Sequence, residues 1–240
     1  MSFQQLLLTM GASYPSDPVA GYTAWYRGDS YNATATGQWD DKSGNGFHLN
    51  AAANKPTLNA ADANFANKPT VEFNGTNQFT GFSTPTLDNW ISNTAFTIFV
   101  VFRAESFGVS DGSASAQRGL FSDNGGFCGL GLGSSKFEVW SYDGAADYTG
   151  PTISLNTVYG ADLRHDSGTL YNLVSGKAET SVASGNTTTL TGVVSVGRNF
   201  DGSDLWDGQI AEIIVYDTVL STTNRQLVRD YLTGRYGISW

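Results

Sequence analysis

Two runs limit what this chain can fold into. FTIFVVFR (Phe96–Arg103) and IAEIIVY (Ile210–Tyr216) are apolar on nearly both faces. A strand of that kind sits inside a sheet with both faces covered. Around them, short apolar segments alternate with Gly, Asn, Asp and Ser, at a spacing of about ten residues that suits a β-sandwich. The expected strands are Thr23–Arg27, Phe47–Ala51, Thr70–Phe73, Phe79–Phe82, Thr97–Arg103, Gly119–Ser122, Cys128–Leu132, Phe137–Tyr142, Thr157–Arg164, Leu170–Val174, Ala178–Val182, Val193–Gly197 and Gln209–Tyr216. KFEVWSYD (Lys136–Asp143) alternates as a half-buried outer strand should.

Composition supports this reading and excludes several functions. At 240 residues, folding buries roughly 70–75% of the unfolded chain's surface, enough for a core without staples. Charged residues are only 15% of the chain, against 28 Gly and 6 Trp, which favours strands over a helical bundle. The net charge of -9, with basic residues scattered singly, argues against nucleic-acid binding. No apolar run reaches 18 residues, so no membrane insertion is expected. Cys128 is the only cysteine and reads as a small hydrophobe.

The N-terminal stretch MSFQQLLLTMGASYPSDP has a short apolar patch without a positive region before it, which does not read as a signal peptide. Residues 1–20 read as an arm that could dock on another subunit, and 21–240 as the sandwich. LSTTNRQLVRDYLTGRYG reads as the one helix. Ser221 is its N-cap, Leu227, Val228, Tyr231 and Leu232 its apolar stripe, and Gly234 or Gly237 its stop. Arg225, Arg229 and Arg235 are expected on its wet side or near its C-terminal end.

AWYRGDS, GQWDDKSGNGFHL and NKPTVEFNGTNQF, with WDGQIAEIIVYDTVLSTTNRQLVRDYLTGRYGI near the end, resemble the first and last parts of a laminin-G-like, concanavalin A-like lectin/glucanase domain. The resemblance spans Tyr22 to Ile238. It implies an all-β jelly-roll sandwich of two antiparallel sheets with one short C-terminal helix. That sandwich carries lectins, glycosidases, adhesion modules and viral structural proteins, so it leaves function to the site. Similar domains occur in bacterial surface proteins and tailed-phage virion proteins. Laminin-G-like relatives often hold one Ca²⁺ at the rim, which here points to Asp123 and Asn124 in one turn and Asp201, Asp204 and Asp207 in another. Hard oxygens on Gly-permitted turns suit that ion.

The loop QWDDKSGNGFHLN (Gln38–Asn50) lacks the oxygen ladder of a calcium loop and reads as a turn anchored by Trp39. Arg-Gly-Asp at 27–29 and the Asn-x-Thr triplets at Asn32, Asn74 and Asn186 are too short to carry a function. A glycosidase needs two flanking carboxylates, yet none of the five Glu has an acid two or four positions away. Of the two histidines, His165 reads as part of a hairpin turn, so no enzyme is expected. Sugar binding needs an exposed aromatic with amides and acids beside it. Trp140, Tyr142, Asp143, Asp147 and Tyr148 form one such patch, and Trp206 near Asp204 another. The reading is a non-catalytic structural or adhesion protein at a virion or cell surface: a phage decoration, head-fibre or tail protein that contacts other subunits through its arm and host glycans through its loops. The alternative is a carbohydrate-binding module of a bacterial surface protein.

Overall fold

The computed structural model describes residues 13–34, 37–50, 53–86, 91–92, 94–113, 117–123, 128–142, 146–184, 192–199 and 202–240. Among them the strands are β1 (Ala24–Arg27), β2 (Tyr31–Asn32), β3 (Gln38–Trp39), β4 (Thr57–Asp62), β5 (Lys68–Asn74), β6 (Thr80–Thr86), β7 (Ala95–Ala104), β8 (Arg118–Asp123), β9 (Cys128–Leu132), β10 (Phe137–Tyr142), β11 (Ala146–Thr149), β12 (Val158–Asp166), β13 (Thr169–Val174), β14 (Thr180–Ala183), β15 (Val193–Val196) and β16 (Asp207–Tyr216). One helix follows, α1 (Thr222–Tyr236).

Two antiparallel sheets carry the fold. The larger runs β14-β13-β12-β7-β16-β5-β4, and β1 joins it on β16; the smaller runs β11-β10-β9-β8-β15-β6. As the sequence requires, β7 and β16 are central and pair with each other from Gly208↔Ala104 to Tyr216↔Thr97. One edge of β16 serves two partners in turn: Asp207–Ile210 pair with β5 and Glu212–Val215 with β1.

The sheets meet face to face. Phe102 of the larger sheet stacks on Phe137 of the smaller one, centroids 4.2 Å apart, and Trp206 meets Phe102 edge-on. Asn172 Nδ2 donates across the gap to the carbonyl of Phe137 at 2.8 Å. A second core lies on the outside of the larger sheet, where Val228, Tyr231, Leu232 and Tyr236 of α1 cover Phe99, Val101, Ala211 and Ile214.

Several expectations change. Of the expected strand Phe47–Ala51, Ala51 lies outside the described residues and Phe47–Asn50 forms no continuous strand: Gly44 and Gly46 take φ of 89° and 79°, and the Phe47 N–H goes to Asp41 instead of a ladder. Only Leu49 and Asn50 make bridges. His165 is a buried β12 residue set edge-on to Phe96. Leu227 is 41% exposed, because the buried face of α1 runs through Val228, Tyr231 and Leu232. Arg235 lies in the last turn of α1 as expected, but Arg225 and Arg229 are not on a wet side. Arg225 and Arg229 bond the fully buried Asp162 of β12, and Arg235 reaches Asp29. Ser221 caps α1 as expected, accepting from Asn224 N at 3.2 Å. The helix runs past Gly234 to Gly237, which takes the left-handed conformation at φ 72°. Gly234 is there for packing: a Cβ would lie 2.3 Å from Tyr14. Met1–Ala12, the outer part of the expected arm, lies outside the described residues.

Candidate functional site

α1 covers the middle of the larger sheet's outer face, and among the described residues no helix covers the outer face of the smaller sheet. The side chains of that face follow from alternation. Val194 and Val196, Phe121, Leu130, Phe137 and Val139 point into the inter-sheet core. Their neighbours Ser195, Ser122, Gly129, Trp140 and Glu138 therefore point outward. Register joins them into one row across the sheet. Asn50 stands opposite Gly81, Gly81 opposite Ser195, Ser195 opposite Ser122, Ser122 opposite Gly129, Gly129 opposite Trp140, and Trp140 opposite Tyr148.

The two ends of this row differ. At the Trp140 end everything is packed. The indole lies against β9 where a Cβ on Gly129 would sit 2.2 Å from it, and the ring is 0% exposed. Its N–H has no partner among the described residues. Next to it Glu138 is 3% exposed, and its Oε2 accepts from Gln117 Nε2 and from Gly112 N. Burial raises the pKa of Glu138, against the Gly112 bond. Asp111 accepts from Ser135 N, Ser135 Oγ and Lys136 N, and these bonds outweigh its burial and hold its pKa down. Glu138 thus ties Gly112 and Gln117 to β10, and Asp111 is tied to the turn that precedes it.

The Asn50 end is open. Asn50 is exposed, Gly81 and Phe79 are half-buried, and Gly81 adds no side chain. Asn50 and Gly81 exchange both backbone hydrogen bonds, at 3.0 and 3.1 Å. Arg198 closes this end. Its Nε donates to Ser195 Oγ at 3.0 Å, and its guanidinium carbon lies 4.1 Å from the centroid of Phe79. Sequence reasoning passed over both residues. Neither carries a motif, and they meet only because β6 pairs with β15.

Trp140 and Trp206 cannot stack on a sugar, a correction to both expected patches: each is fully buried, Trp206 between the sheets. The alternation that suggested an exposed Trp140 is real, but its outward side is covered too. Tyr148 is half-buried on the edge strand β11. Asp143 and the side chains of Tyr142 and Asp147 lie outside the described residues.

Of the expected calcium ligands, only Asp123, Asp204 and Asp207 are among the described residues. Asn124 and Asp201 lie outside the described residues. Asp123 is fully buried on the inward side of β8, opposite Val194. Asp204 accepts from Ser203 Oγ and Asp207 from Ser106 Oγ. Among the described residues no three His, Cys, Asp or Glu converge as a metal site would need.

The loop Gln38–Asn50 is a turn built on one carboxylate. Asp41 accepts from Trp25 N, Ser43 N, Ser43 Oγ and Phe47 N, while Trp39 is fully buried. Its role near the site is to deliver Asn50 to the edge of β6. The Arg-Gly-Asp triplet is closed on itself: Arg27 forks onto Asp29 at 2.9 and 2.7 Å, and Asp29 also receives Arg235. Among the described residues no helix is long and apolar enough to cross a membrane.

No protein-family model and no curated protein sequence matches this chain. Solved structures do resemble it. Trypanosoma rangeli sialidase, in complex with 2,3-difluorosialic acid, aligns at TM-score 0.62 and 16% identity over 94% of this chain and 35% of the sialidase. The receptor-binding domain of botulinum neurotoxin type G aligns at TM-score 0.63 and 12% identity, over 88% of this chain and 51% of that one. Domain 4 of AbnA, a GH43 extracellular arabinanase from Geobacillus stearothermophilus in complex with arabinotriose, aligns at TM-score 0.61 and 14% identity, over 88% of this chain and 98% of that one. This chain thus spans about a third of the sialidase and half of the toxin domain. At such identities the likeness establishes the fold alone: the chain is an all-β sandwich with a short C-terminal helix.

Proposed function

We propose that this chain is a non-catalytic glycan-binding sandwich that uses the open end of its smaller sheet's outer face. One observation carries the reading. The row Asn50–Gly81–Ser195 combines an exposed amide with a residue lacking a side chain, next to an aromatic ring and a guanidinium. Such a surface offers hydroxyl partners and a flat floor, the two things a pyranose needs. The full-length alignment with a domain solved with arabinotriose supports the same reading. So does the likeness to a receptor-binding domain.

The non-catalytic part rests on the carboxyls. Glu138, on the outer face, is committed to Gly112 and Gln117, and Asp111 to Ser135. Neither is left as the free acid and base that glycoside cleavage requires.

A role in adhesion at a virion or bacterial surface, as the laminin-G-like resemblance implies, fits one further relationship. Tyr14 packs on Gly234 of α1, so the chain enters the sandwich on the side away from Asn50. A contact made by the preceding residues would leave the glycan face free.

Glycan-array retention followed by calorimetry tests the proposal, comparing the wild type with Asn50→Ala. Retention of a glycan by the wild type, weakened at least tenfold in Asn50→Ala, is expected. A wild type that retains nothing, or that releases shortened products from a polysaccharide, overturns it.

A further inference from the structure

Arg198 stands out among the arginines of this chain. Arg27, Arg103, Arg164, Arg225, Arg229 and Arg235 each face a carboxylate within 4.0 Å, and among the described residues Arg198 faces none. Arg118 also lacks one, but it is used up on the carbonyls of Phe107, Gly75 and Leu205. The Arg198 guanidinium is half-buried, and burial lowers its pKa, with no acid among the described residues offsetting the cost.

Its geometry is fixed all the same. Phe79 sets the plane of the guanidinium from one face at 4.1 Å, and Ser195 Oγ holds Nε at 3.0 Å. The two terminal nitrogens take no acceptor from any described residue. A planar fork held at its root and open at its tip matches a carboxylate in two-point geometry, which a lysine could not reproduce. The fork lies next to Gly81 and Ser195 in the row where the proposed glycan surface begins.

We infer that Arg198, held by Phe79 and Ser195, is an anion anchor that makes this face selective for acidic sugars, binding the carboxylate of a hexuronate or nonulosonate unit. This rests on the glycan-binding reading and narrows it. The chain's net charge of -9 sharpens the inference. The global field repels a polyanion, so selectivity for one has to come from a local, geometrically defined cation.

The experiment is calorimetric titration with three oligosaccharides of matched length: a uronate oligomer, its carboxyl-reduced neutral counterpart and a sulfated neutral oligomer. Wild type, Arg198→Gln, Arg198→Lys and Ser195→Ala are compared, each checked for an unchanged melting profile. Wild type should bind the uronate at least tenfold more tightly than the neutral oligomer. Arg198→Gln should erase that preference, and Arg198→Lys should restore only part of it, because charge returns without the fork. Ser195→Ala should weaken uronate binding several-fold, and serves as the reading if Arg198 variants do not fold. Tighter binding of the sulfated than of the uronate oligomer, lost in Arg198→Gln, keeps the anchor and overturns the carboxylate assignment. Equal affinity of the wild type for all three overturns the inference while glycan binding stands. No binding of any oligosaccharide overturns glycan binding itself.

Discussion

The indole N–H of Trp25 donates to the carboxyl of Glu212, 187 residues further along the chain, at 2.6 Å. Tyr231 and Tyr236 of α1 donate to the same group at 2.8 and 2.7 Å. One fully buried acid on β16 thus ties the first strand and the last helix to the centre of the larger sheet. Replacing Glu212 with Ala leaves the Trp25 and Tyr231 donors in a dry site without that acceptor, and Tyr236 with only the Ala211 carbonyl at 3.3 Å. A loss of roughly 3–5 kcal/mol is expected, read as a fall in the urea midpoint.

Glu212 also sets a pH dependence. Burial raises its pKa, and the bonds from Tyr236, Trp25 and Tyr231 offset this only in part. A raised folded value means that the protonated form is favoured by folding. Its contribution is therefore full below the ordinary carboxylate value of about 4.3 and is lost as pH rises through the folded value. Melting curves of wild type and Glu212→Gln should differ in slope over that window. Parallel curves would show that the buried acid titrates normally.

Asp162 should behave as the clamp of α1. It is fully buried and takes Arg229 Nε at 2.8 Å and Arg225 Nη1 at 3.3 Å. Asp162→Ala strands two guanidinium groups at a buried interface, which costs about 3–5 kcal/mol. Hydrogen exchange of the α1 amides should rise more than that of β7 if the helix opens first.

Trp140→Ala separates packing from recognition. The ring is fully buried, so its loss should cost about 3–5 kcal/mol in the melting profile. Glycan affinity, measured well below the melting point, should stay near wild type. A stable variant that has lost the glycan would return Trp140 to the ligand surface.

Gly234 tests a balance between two effects. A glycine inside a helix costs about 1 kcal/mol relative to alanine, yet a Cβ there meets Tyr14 at 2.3 Å. The nearest atom is the Tyr14 Cβ, which alanine would keep, so Gly234→Ala should destabilise the wild type and stabilise a Tyr14→Gly background. Thermal melts of the four variants check the sign.

The central strands Ala95–Ala104 and Asp207–Tyr216 and the capped helix were legible because each rests on local chemistry. Apolar residues on both faces demand cover, and Ser221 supplies an oxygen to the first turn whatever packs around it. The Asp41 turn was legible for the same reason, since most of its bonds reach only a few residues along the chain. The short strands Thr57–Asp62 and Ala146–Thr149 were not, because polar edge strands have no apolar period of their own.

The sequence by itself determined that this chain stacks two sheets and closes them with a helix. What lies outside each sheet was left to the tertiary structure. Alternation tells which side chains share a face but not what comes to cover that face. Trp140 and Arg198 both point outward, yet one is fully buried and the other half open. A residue's exposure is a property of its neighbours in space, and Arg198, Phe79, Ser195 and Asn50 become neighbours only when β6 and β15 pair.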